Sequence, residues 1–116
     1  MHKIGIDIIE ISRIKRAIER FGSKFLDRIF TKQEQGYCQS HMGRYAARFA
    51  VKEAVIKVLE TGISFRDIEV LKCESGAIKV KIVDKRFQKE SEKICISLTH
   101  SRDYAAAVAM YQNYEE

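Results

Sequence analysis

The hydrophobic positions fall into two regimes along the chain. Ile4 to Ile11 is β-branched and apolar apart from Gly5, Asp7 and Glu10, which predicts a buried first strand. Ser12 can cap a helix running to about Phe21, with Gly22 to end it. Thr31-Lys32-Gln33-Glu34 has the form of a capping box, so a short helix should follow. From about Gly43 to Glu60, Tyr45, Phe49, Ile56 and Leu59 recur at helical spacing, and Gly62 lies where a left-handed cap is wanted. The rest is strand-like. Ile68 to Leu71 and Ile78 to Val83 flank a turn at Glu74-Ser75-Gly76, and Ile94 to Leu98 and Tyr104 to Met110 flank a turn at residues 99–103. One strand, then helices, then strands predicts an α+β fold, a mainly antiparallel sheet packed against a long central helix.

Composition narrows the class. A chain of 116 residues, 46% hydrophobic and 32% charged, fits one globular domain over 1–116. No apolar run approaches the roughly 20 residues of a membrane span, and Asp7 interrupts any leader-like stretch, so a cytoplasmic protein is expected. Cys38, Cys73 and Cys95 form no Cys-x-x-Cys pair and read as free and reduced, with Cys95 a small hydrophobe in an apolar run. The net charge of +5 favours an anionic partner without choosing one.

Four features could carry chemistry. Asp7 is a lone carboxylate in an apolar strand and needs a partner, a basic side chain, a helix N-terminus or a metal, and the residues alone favour structural pairing over a metal. Glu53 and Lys57, four residues apart, share a helix face, either as a surface ion pair or as part of a site that the small Ala50 and Ala54 let a ligand approach. Arg13, Arg16 and Arg20 follow helical spacing in a stripe of nearly one sign, a solvated face or a dock for an acidic protein. His100 in its turn is a structural histidine or a phosphate contact. No Walker loop, Gly-x-Gly-x-x-Gly or His-Glu-x-x-His occurs. The residues alone therefore leave three classes open: an enzyme with an acidic site, a nucleic-acid-binding module, and a noncatalytic adaptor.

Taken together, the motifs resemble the holo-acyl-carrier-protein synthases, the small class of 4′-phosphopantetheinyl transferases. The resemblance rests on Gly5-Ile6-Asp7, Arg13-Ile14, Arg28-Ile29-Phe30-Thr31 with Glu34, and Arg44 through Ala54 with Lys57. Thr61-Gly62-Ile63, Phe65 through Glu69, Ser97 through Ser101 and Tyr104 through Ala107 complete it, in order along the whole chain. Ala47 stands where the family commonly has glycine, the segment from Gly62 to Phe65 is short, and no proline follows Gly76.

The resemblance implies transfer of the phosphopantetheine arm of coenzyme A to a serine of acyl carrier protein. It also implies a homotrimer with its sites between subunits and Mg²⁺ held by the carboxylates of Asp7 and Glu53. Lys57 would act on phosphate charge, with Arg48 and His100 beside the coenzyme. Arg13 matches an arginine on the helix that docks the carrier protein, and Arg16 and Arg20 extend that surface. Neither nucleic acid nor membrane is an implied partner.

Overall fold

In a computed structural model that describes residues 2–60 and 62–113, the chain opens on β1 (His2–Glu10) and α1 (Ile11–Phe21). Two short helices follow, α2 (Ser23–Ile29) and α3 (Lys32–Cys38), and then the long α4 (Met42–Leu59). β2 (Ile68–Lys72), β3 (Ile78–Ile82), β4 (Ile94–His100) and β5 (Tyr104–Gln112) complete the order. The expected α+β architecture is present, with its strands divided between two antiparallel sheets: β1-β5-β4 and β2-β3.

Small residues explain how α4 reaches the three-stranded sheet. Ala105, Ala107 and Ala109 project from one face of β5, and Ala46, Ala47, Ala50 and Ala54 of α4 are buried. Such short side chains let a helix axis and a sheet come together closely. The closest approach is at Gly5, where a β-carbon would lie 2.3 Å from the Ala54 carbonyl oxygen and 3.1 Å from the Lys57 β-carbon. That backbone oxygen cannot swing aside. Gly5→Ala should therefore push β1 off α4, lowering the midpoint of a denaturant melt and disturbing Asp7 two residues on.

Several elements depart from the sequence reading, each for a local reason. β1 is not buried throughout. Its residues alternate, and Ile4, Ile6 and Ile8 are 69%, 65% and 66% exposed because only the opposite face meets α4. Glu10, not Ser12, precedes α1, and no side chain caps that helix. Gly22 ends it as expected, at φ 56°, and the same glycine opens α2, which has no side-chain cap to announce it. The left-handed residue closing α4 is Glu60 (φ 56°, ψ 31°), two positions before Gly62. His100 ends β4 instead of lying in the turn, and Cys95 is exposed on that strand. The resemblance at Thr61 lies outside the described residues.

Two expected local structures form as read. The Thr31 hydroxyl accepts from the Glu34 amide at 3.2 Å while the Glu34 carboxylate accepts from the Thr31 amide at 2.8 Å, a complete capping box. In the β2–β3 hairpin, Gly76 takes φ 92°, a conformation that glycine adopts without steric penalty.

Candidate active site

Asp7 reaches the site because β1 alternates: with Gly5 and Ile9 it belongs to the inner face, while the three exposed isoleucines take the other. Its Cα pairs with that of Ala107, so nothing bulky beside it on β5 fills the space toward α4. Glu53 and Lys57 come from one face of α4, a turn apart. Asp7 and Glu53 line one cavity of about 350 Å³ with Arg13 of α1 at its edge and Ile14, Phe25 and Phe49 as apolar wall. Strand, long helix and first helix thus each contribute one charged side chain.

Electrostatics ties the three acidic and basic groups together. The Lys57 ammonium donates to the Ile6 carbonyl at 2.7 Å and lies 3.5 Å from the Asp7 carboxylate. Burial pushes the Glu53 carboxyl above its ordinary 4.5; the Asp7 charge pushes the same way, and Lys57 opposes both. Two carboxylates lining one cavity, with a half-exposed lysine beside Asp7, are suited to a hard divalent cation. Mg²⁺ takes oxygen ligands, keeps several waters and is commonly held by one or two carboxylates plus substrate phosphates. Among the described residues no cluster of three or more metal-binding side chains occurs. A cation here would complete its shell from water and substrate, so the donor set fits Mg²⁺.

Arg48 and His100 lie elsewhere. Arg48 is five residues before Glu53, about 140° around the helix, and both it and His100 line a second cavity of about 510 Å³. Arg48 is buried, and its Nε has no hydrogen-bond partner. His100 is exposed, and its imidazole lies where a β-carbon on Gly43 would come within 3.3 Å of Nδ1. The structure therefore joins Asp7, Glu53 and Lys57 and separates them from Arg48 and His100. Arg13, Arg16 and Arg20 are all exposed on α1, with Arg13 reaching the rim of the acidic cavity.

The sequence reading missed two groups. Tyr37, Arg44 and Lys72 share the cavity of Arg48, although they come from three elements and no spacing connects them. Lys52 is wholly buried and ion-paired with Glu34 at 2.7 Å. Its neighbours in the helical pattern, Val51 and Val55, were the available signal that this lysine faces inward.

The fold has counterparts among known proteins. The family model for the 4′-phosphopantetheinyl transferase superfamily matches residues 3–109, and the chain belongs to that superfamily. Within it, the chain is 48% identical over 116 residues to the holo-[acyl-carrier-protein] synthase of Chlamydia caviae, covering 92% of this chain and 93% of that protein. The enzyme of the same name from Aquifex aeolicus is 43% identical, with 91% and 94% covered. The crystal structure of Helicobacter pylori holo-[acyl-carrier-protein] synthase in complex with coenzyme A matches with a TM-score of 0.85 at 32% identity. It covers 95% of this chain and 100% of that one.

Proposed function

We propose that this chain transfers 4′-phosphopantetheine from coenzyme A to a serine of apo-acyl carrier protein, yielding holo-acyl carrier protein and adenosine 3′,5′-bisphosphate for fatty acid biosynthesis. The observation that carries the reading is the convergence of Asp7, Glu53 and Lys57 on the β1–α4 crossing, within a family of phosphopantetheinyl transferases. Asp7 and Glu53 would hold Mg²⁺, which supplies charge neutralisation on the pyrophosphate when bound. Lys57 stands beside that pair with its side chain half exposed, where its ammonium would meet phosphate oxygens or the departing bisphosphate. A water in the cavity, or Glu53 through it, would accept the serine proton. Ile14, Phe25 and Phe49 exclude water from one side of the cavity.

The reading includes a homotrimer. The outer face of β1 carries three exposed isoleucines, and on β5 their Cα partners are Met110, Val108 and Ala106, a contiguous apolar surface on one chain. A second support is the separation of the two cavities: one coenzyme touching both Glu53 and Arg48 would bridge neighbouring copies. Light scattering should give three times the 13.4 kDa chain mass, and a fully active monomer would refute the assembly.

A single transferase domain over 1–116 in the cytoplasm, with neither nucleic acid nor membrane as partner, completes the reading. Among the described residues no helix is long and apolar enough to cross a membrane.

The arginines of α1 fit an acidic carrier protein. Because exposed charges act mainly on encounter, Arg13→Glu or Arg16→Glu should weaken carrier-protein binding and its salt dependence more than coenzyme A binding. Equal losses in the two titrations would remove this assignment. The activity itself is tested by mixing the chain with apo-acyl carrier protein, coenzyme A and Mg²⁺ and weighing the carrier protein. A mass gain of one phosphopantetheine is expected, and an unchanged mass refutes the proposal.

A further inference from the structure

Phe25 and Phe49 are the two aromatic rings that line the acidic cavity, and one buried cation stands behind both. Lys52 lies on α4 three positions after Phe49 and one before Glu53, with its own side chain wholly buried. Two aromatic routes run from its ammonium to the cavity wall. Along the first, the ammonium lies 5.3 Å from the centre of the Phe30 ring, which meets the Phe25 ring edge-on at 6.3 Å and 68°. Along the second, it donates to the Phe65 carbonyl at 3.0 Å, and the Phe65 ring stacks on Phe49 with centroids 5.3 Å apart and planes at 19°.

The elements that carry Phe25 and Phe65 are too short to hold themselves in place. Phe25 belongs to α2, seven residues without a side-chain cap, and Phe65 opens a 3₁₀ turn of three residues that is also uncapped. The Lys52 ammonium donates in addition to the carbonyl of Ile29, the last residue of α2, at 2.8 Å, so it fastens both short elements to α4. Its third proton goes to Glu34 at 2.7 Å, which balances the charge inside the core. An apolar side chain of similar length could fill this space, but three N–H donors also fix the distance and direction of each carbonyl.

We propose that Phe65, anchored by Lys52, is a positioning residue of the transfer site: together they hold the Phe25–Phe49 wall against Asp7 and Glu53, so that the carrier-protein serine and not water receives the phosphopantetheine arm. The inference rests on the transferase reading, which supplies the reaction. Phosphoryl transfer depends mainly on how the nucleophile is placed. With the wall loosened, a water can take the serine's place. Its oxygen forms the new bond to the phosphorus bearing the pantetheine arm, the anhydride bond to adenosine 3′,5′-bisphosphate breaks, and the released proton passes to solvent. The product is then free 4′-phosphopantetheine instead of holo-acyl carrier protein.

The test incubates each full-length chain with coenzyme A, Mg²⁺ and apo-acyl carrier protein, and quantifies free and protein-bound phosphopantetheine in the same reaction by mass spectrometry. Phe65→Leu removes the stacked ring but keeps the carbonyl that Lys52 holds and both buried charges; Phe65→Tyr keeps the ring. Phe65→Leu should lower kcat for serine transfer about tenfold with KM for coenzyme A nearly unchanged, and raise the free share of product by about the same factor. Phe65→Tyr should restore native kcat and product ratio. The Mg²⁺-dependent rise in melting temperature should persist in both, since neither carboxylate is touched. The double variant Lys52→Met/Glu34→Gln, which leaves no buried charge behind, should move the product ratio the same way. Should Phe65→Leu fail to fold, Phe65→Met is read in the same terms, its flexible side chain filling the space without a flat ring. A Phe65→Leu chain that melts lower yet keeps native kcat and product ratio while folded overturns the inference and leaves the transferase reading standing. So does a raised KM for coenzyme A with the product ratio unchanged, a lost Mg²⁺ shift, or a folded double variant with the native ratio. A native chain that transfers no arm to the serine overturns the transferase reading and this inference together.

Discussion

Asp7→Ala and Glu53→Ala should each abolish phosphopantetheine transfer while the chain stays folded. Each removes half of the protein's carboxylate ligands for Mg²⁺, and water supplied in their place carries no charge. Folding should survive because of where Lys57 sits. Its side chain is 51% exposed and its ammonium keeps the Ile6 carbonyl as partner, so removing Asp7 strands no buried charge. Lys57→Ala should give a different result, slowing transfer while leaving Mg²⁺ affinity largely intact. Thermal melts with and without Mg²⁺ separate these outcomes. The native chain should melt higher with the ion, as any ligand of the folded state raises stability. Either alanine variant should lose that shift. An Asp7→Ala chain that is destabilised yet fully active while folded would show Asp7 to be structural.

The same pair gives a pH dependence. Glu53 releases its proton at higher pH in the folded chain than in the unfolded one, where about 4.5 applies. Between those two values the folded state binds the additional proton, so this group's contribution to stability falls as pH rises through the window. Above the window both states are ionised and the full penalty remains, which Mg²⁺ relieves. Denaturant melts without metal should show that decline, and Glu53→Gln should remove it.

Much of this arrangement was legible in the residues, and its limits have physical causes. The long helix could be read because apolar spacing, absence of proline and good helix formers all agree over eighteen residues. The capping box could be read because its two partners are three residues apart. The close approach to α4 was partly visible in Ala50 and Ala54, whose short side chains leave room beside Glu53. What spacing could not show was convergence. Asp7 and Glu53 are 46 positions apart in the sequence, and their meeting follows from Gly5 admitting the Ala54 carbonyl. The exposed isoleucines of β1 misled for a related reason: β-branched residues favour a strand whichever face is covered. The cations around Tyr37 of α3 come from α4 and β2, and only the tertiary fold brings them to that ring.

Lys52 offers the largest expected effect on stability. Its side chain and that of Glu34 are both fully inaccessible to water. The ammonium donates to the Ile29 carbonyl at 2.8 Å, to Glu34 Oε1 at 2.7 Å and to the Phe65 carbonyl at 3.0 Å, which uses all three of its protons. Glu34 accepts in addition from the amides of Thr31 and Val70, both at 2.8 Å. One ion pair therefore ties α4 to the end of α2, to α3, to β2 and to the 3₁₀ turn at Phe65–Asp67. Burial lowers the pKa of the Lys52 ammonium, while the Glu34 charge and hydrogen bond hold it up. Removing one partner leaves the other charge buried without its counterion, and a broken pair of this kind destabilises by about 3–5 kcal/mol. Lys52→Met and Glu34→Gln should each show that loss in urea melts. The double variant, with both charges gone, should be more stable than the sum of the two losses predicts, since what makes each single change severe is the charge it leaves behind. Additive losses would mean the pair contributes through packing alone.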